Sequence, residues 1–89
     1  MASWDFAIEL DRRGDTSLSH QIARAISADI ERGRLRPGDR LPGSRRLAGT
    51  LRVHRQTVTT AVDDLIAEGW LVSRKTSGIF VAEVFPTSP

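Results

Sequence analysis

Residues 52 to 60, R-V-H-R-Q-T-V-T-T, gather arginine, histidine, glutamine and threonine with no acid among them. These are the side chains that read a duplex. Arg55 can offer two parallel donors to O6 and N7 of guanine, and Gln56 can pair with N6 and N7 of adenine, each good bidentate contact giving about 1–3 kcal/mol of discrimination. Thr57, Thr59 and Thr60 bring hydroxyls for phosphate oxygens and methyl groups for thymine, and His54 stands at the head of the run. With Val58 at the centre of a buried face and about 100° per residue, Gln56 and Thr60 point nearly opposite, with Arg55, Thr57 and Thr59 on the flanks. Asp63, Asp64 and Glu68 follow on the polar side of the later turns. Their charge would repel phosphate, so only the first turn and a half can approach a polyanion closely.

Two further groups of cations accompany this run. Arg45 and Arg46 fall in the first turn of a short predicted helix, an end whose free amides favour anions and where each cation costs on the order of 0.3–1 kcal/mol before screening. A phosphate held jointly by amides and guanidinium groups removes that conflict. Downstream, Arg74 and Lys75 adjoin Thr76, Ser77 and Gly78, a cationic tip with small donors and a close-approaching backbone. The formal charge of +2 conceals this arrangement. Seven arginines against one acid between Arg34 and Arg55 make a segment of +6 over 22 residues, while each flank sums to −2. Arginine matches phosphate and guanine edges better than lysine does, so the charge run indicates a nucleic-acid surface rather than a merely solvated face.

Catalytic chemistry finds no support. His20 and His54 fall in different helices, Asp63 and Asp64 are adjacent on an open surface, and no phosphate-binding glycine loop occurs. The only lysine, Lys75, lies at the hairpin tip, so a buried Schiff base is excluded. With no cysteine, disulfides and thiolate metal sites are excluded too. The expectation is a non-enzymatic chain with no metal and no cofactor of its own. A hydrophobic content of 39% with 27% charged residues belongs to a folded domain rather than a disordered one. The start, M-A-S-W-D-F-A-I-E-L-D, has acids where a secretion signal has a basic segment, and no run approaches the ~18 apolar residues of a membrane span. A cytoplasmic chain with no membrane partner is expected.

The elements that must position these residues follow from spacing. Leu18, Ile22, Ala25, Ile26 and Ile30 form one apolar stripe, with Ser17 as N-cap and Gly33 as terminator. The segment L-R-P-G-D-R-L-P-G, residues 35 to 43, is a turn with a short extended piece around Asp39 to Leu41. A second helix over about Ser44 to Leu51 turns Leu47, Ala48 and Leu51 inward. A third, from His54 to about Glu68, does so with Val58, Ala61, Val62, Leu65 and Ile66, and Gly69 ends it. The short gap between them is the helix-turn-helix spacing. Trp70 to Ser73 and Ile79 to Ala82 then read as a hairpin. The chain therefore divides into a lead-in (1–13), a mainly α domain of three helices and a wing (14–82), and the start of a linker (83–89).

The motifs G-R-L-x-P-G-x-R-L-P, S-R-x-L-A, V-x-R-x-T-V, L-x-A-E-G-W-L and S-G-x-F-V occur in register between Gly33 and Val81. In that combination the chain resembles the DNA-binding domain of GntR-family bacterial transcription regulators, a winged helix-turn-helix. The lead-in L-D-R and L-P-x-S-R look most like the MocR subgroup, whose members fuse this domain through a linker to an aminotransferase-like domain carrying pyridoxal phosphate. The resemblance implies operator DNA as partner and a homodimer formed through a C-terminal domain outside this chain. It implies contacts by Arg45, by Arg55, Gln56 and Thr57, and by the wing around Thr76 to Gly78. Three positions depart from the family pattern: His54 replaces a serine or threonine N-cap, Arg52 the usual glycine of the turn, and Thr59 a frequent basic residue. The competing reading of such a fold is a winged helix used for protein contacts, which predicts an apolar or mixed-charge surface on the third helix.

Overall fold

In the computed structural model, residues 8–74 and 78–83 are described. The order is α1 (Leu18–Glu31), α2 (Ser44–Leu51), α3 (Arg55–Glu68), β1 (Leu71–Arg74) and β2 (Gly78–Val81), three helices and a wing as the spacing predicts. α1 starts where the Ser17 hydroxyl accepts from the His20 amide at 3.2 Å, one of the amides a helix start otherwise leaves unpaired. It ends at Gly33 with φ 82°, and the Arg34 and Leu35 amides both donate back to the Asp29 carbonyl. Asp29 is buried at 6% exposure, with the Arg34 guanidinium 3.9 Å from its carboxylate. The periodicity did not single out this buried charge.

α3 ends on Gly69 at φ 92°, and the Trp70 amide returns to the Leu65 carbonyl at 2.9 Å, the 6→1 bond of a Schellman turn. That bond uses the Trp70 amide, while the Trp70 carbonyl accepts from the Ala82 amide at 2.9 Å. The ladder runs from Leu71↔Val81 to Arg74↔Gly78, one residue later in the first strand and one earlier in the second than the hydropathy suggests, in an unchanged register. The extended piece is present as one bridge, Arg40↔Phe80, held by Leu41 N–H to Ile79 O and Val81 N–H to Asp39 O, both at 2.8 Å. β2 thus has neighbours on both sides.

One core joins the parts. Ile22 and Ile26 of α1, Leu47 of α2, Val58 and Leu65 of α3, Leu35, and Leu71 and Val81 of the wing are almost wholly buried. Ile8 and Leu10 of the lead-in, with Val53, Ile66, Trp70 and Ile79, are partly buried against it. The lead-in is tied down by polar contacts as well. Gln21 of α1 accepts from the Asp11 amide at 2.7 Å and donates to the Asp11 and Thr16 carbonyls. No helix among the described residues is long and apolar enough to cross a membrane.

Candidate nucleic-acid interface

The turn between α2 and α3 sets the position of the proposed reading helix. Arg52 occupies the left-handed region at φ 56°, ψ 50°, where a Cβ crowds the following carbonyl and a non-glycine residue costs roughly 1–2 kcal/mol. Two contacts hold it there. The Val53 amide donates to the Ala48 carbonyl at 3.0 Å, and the Arg12 guanidinium donates to the Leu51 and Arg52 carbonyls at 2.9 and 3.0 Å. A lead-in residue thereby caps the C-terminus of α2. Nothing in the local pattern around Arg12 announces a partner 39 residues away.

His54 is the N-cap of α3 and makes no side-chain cap bond, consistent with its departure from the family serine or threonine. Its carbonyl accepts from the Thr57 amide at 2.9 Å. Val58 belongs to the core cluster and Val53 is partly buried against it, so the two residues flanking the cap are both anchored by apolar packing. α2 begins at Gly43, also without a side-chain cap. Of the three helices, only α1 has its first turn capped by a side chain; the two ends flanked by arginines leave amides available to an anion.

Those two ends adjoin. Arg55, the first residue of α3, donates through Nε to the Ser44 hydroxyl at 3.3 Å, and Ser44 is the first residue of α2. Holding the Nε leaves both Nη groups of an exposed guanidinium for a planar, two-acceptor partner. Ser44, which the sequence reading passed over as a helix start, is thus a partner of Arg55. Gln56 is exposed, its amide 3.4 Å from the Thr60 hydroxyl. The two share a shallow groove with Thr57 and with Ser17, Leu18 and Ser19 of α1. This is why Thr60, placed on the far side of the wheel, is half-buried rather than exposed. Thr57 is half-buried as well. Thr59 donates its hydroxyl proton to the Arg55 carbonyl at 3.0 Å, so its donor serves its own helix and only its lone pairs and methyl remain for a partner.

Arg45 and Arg46 are exposed in the first turn of α2. Arg74 ends β1 with its guanidinium 5.0 Å from the Phe80 ring centroid, and Gly78 opens β2 at φ 114°. Lys75, Thr76 and Ser77 lie outside the described residues. Asp63, Asp64 and Glu68 are exposed along the later turns of α3, confining an approaching polyanion to its first turns. Among the described residues no cluster of three or more histidine, cysteine or acidic side chains could hold a metal ion.

Comparison with known proteins places this geometry. Residues 18–81 match the family of bacterial regulatory proteins, gntR family. The chain is 43% identical over 77 residues to the probable rhizopine catabolism regulatory protein MocR of Rhizobium meliloti, covering 86% of this chain and 16% of that protein. It superposes with TM-score 0.80 on YtrA from Sulfolobus acidocaldarius, a GntR-family transcription factor, at 39% identity over 86% of this chain and 82% of that one. It also superposes with TM-score 0.72 on the DNA-binding domain of AraR in complex with operator ORX1, at 30% identity over 84% of this chain and 96% of that one. The chain spans about one sixth of the length of curated relatives such as MocR. On the match of residues 18–81, this chain belongs to the GntR family of bacterial regulatory proteins.

Proposed function

We propose that this chain is the double-stranded DNA-binding part of a bacterial transcription regulator, with the first turns of α3 in the major groove and the wing on the backbone or minor groove. The observation that carries the reading is the Arg55–Ser44 bond. It aims an exposed guanidinium from the point where two uncapped helix ends meet, an arrangement with a use at a phosphate-lined groove. The operator complex of the AraR domain supports the same assignment through a relative of the same fold. Arg55 and Gln56 are the base-reading side chains, Thr57 and Thr60 assist them, and Arg45, Arg46 and the wing hold phosphates. No catalytic role is assigned to any residue, and the molecule acts at the chromosome, in the cytoplasm.

The finer reading is a MocR-type regulator, supported by the L-D-R lead-in and the L-P-x-S-R motif and by the similarity to MocR. A regulator of that type would add a pyridoxal-phosphate domain and homodimerisation, neither of which is assigned to any residue of 1–89. Selection of duplexes from a random pool, followed by mobility shifts, tests the DNA reading. An enriched motif is expected, with Arg55→Ala relaxing sequence preference and Arg45→Ala weakening all duplexes alike. Retention insensitive to salt with no enriched motif would overturn it in favour of a protein-contact surface.

A further inference from the structure

Arg40 was not among the residues that the sequence singled out as a site, yet the wing places it on the same face as Arg74, across β2. Paired residues of antiparallel strands share a face, and alternate residues of one strand return to it. Val72↔Phe80, Arg74↔Gly78 and the bridge Arg40↔Phe80 therefore put Val72, Arg74, Gly78, Phe80 and Arg40 on one side of the wing. The opposite side carries Leu71, Val81 and Leu41, which are buried. The arginine side is the outer one, where Val72 is 37% exposed.

Both guanidinium groups are held there by neutral partners. Arg74 lies over the Phe80 ring. Arg40 lies against the backbone of Gly78, where a Cβ would come within 3.1 Å of its Nε and 3.5 Å of an Nη. A side chain at position 78 would displace it. Neither arginine has a carboxylate within ion-pair distance among the described residues. The neighbouring acid, Asp39, is occupied in its own turn, accepting from the Arg36 amide at 2.9 Å. β2 lies between the two arginines, and their guanidinium groups lie over it at Phe80 and at Gly78, so two unneutralised cations share one outer face; a phosphate bridging them offsets their repulsion.

We propose that Arg40 is a DNA-contacting residue of this chain, forming with Arg74 a two-guanidinium clamp on backbone phosphates at the outer face of the wing. The clamp rests on the DNA-binding reading above and extends it to a residue outside the helices. Because it touches phosphate, it adds affinity without sequence preference. Each phosphate contact contributes about −0.9 to the slope of log K against log salt, which corresponds to about fivefold in affinity at 0.15 M and about fifteenfold at 0.05 M.

The test compares this chain with its R40Q and R40K variants on a selected duplex and a scrambled one across a salt series, with active protein counted by stoichiometric titration at low salt. R40Q is expected to flatten the slope by about one on both duplexes, and R40K to keep the parent's slope. A parent that binds steeply with R40Q unchanged would overturn the role of Arg40 and leave the DNA reading standing. If R40K loses as much slope as R40Q, Arg40 acts through packing and the clamp falls. A parent whose binding is insensitive to salt removes the DNA reading and the clamp together.

Discussion

Replacing Ser44 by alanine separates aiming from contact at the centre of the proposed interface. The Arg55 Nε to Ser44 Oγ distance of 3.3 Å is long for such a bond, and both residues are at the surface, so its net contribution is about 0.5–1 kcal/mol. The benefit is restriction of a side chain whose rotamer freedom is worth about 2 kcal/mol. A free Arg55 would have to lose that freedom on binding. S44A should therefore lower affinity for the preferred duplex about two- to fivefold relative to a scrambled one, with a loss of folding stability no greater than about 0.5–1 kcal/mol. Arg55→Ala removes the base contact itself, about 1–3 kcal/mol, or roughly five- to 150-fold. The decisive measurement is the double-mutant cycle by fluorescence anisotropy at fixed salt. In the Arg55→Ala background, the Ser44 substitution should have no further effect. A loss that persists there would mean that Ser44 touches DNA on its own account, and an equal loss on both duplexes would mean that it holds phosphate. Either result refutes the aiming role.

Arg52→Gly should stabilise the chain. It relieves roughly 1–2 kcal/mol of left-handed strain at φ 56° against about 0.4–1 kcal/mol of added freedom in the unfolded chain, for a rise of a few degrees in calorimetric Tm. Arg12→Ala removes two donors from the α2 terminus and should cost about 1–2 kcal/mol in denaturant titration, with a smaller loss in the Arg52→Gly background, where the turn needs less support. Leu47→Ala empties a fully buried position between the helices and should cost about 2–5 kcal/mol, read as a lower denaturation midpoint. On DNA, about five phosphate contacts in total should give a salt slope near −4 to −5, with a slope near zero refuting the electrostatic footprint.

The division between what the sequence discloses here and what it does not follows the range of the interactions. Helices α1 to α3 are legible because their apolar residues recur at three and four, and because Ser17, Gly33 and Gly69 are local signals that act within one turn of where they stand. The wing is legible as a hairpin in the same register, but its strand bounds move by a residue towards the tip: the amide of Trp70 serves the stop of α3 through the Leu65 carbonyl while its carbonyl still accepts from the Ala82 amide, a double use that hydropathy does not resolve. Arg55 and Gln56 stand out from residue type and wheel position alone. The residues that support α3, and the proposed wing contact, do not: Arg12 meets Leu51, Ser44 meets Arg55 and Arg40 meets Gly78 only after the core has closed around Ile22, Leu47 and Val58. Such residues lack periodicity and are exposed or half-exposed, so composition and pattern assign them to solvent. The base-reading groups of α3 can thus be read from the chain, whereas the residues that aim them, and the wing contact proposed for Arg40, are set by tertiary closure. Reading the interface from α3 alone would leave out the lead-in and the extended segment, which between them fix both the turn before α3 and the outer face of the wing.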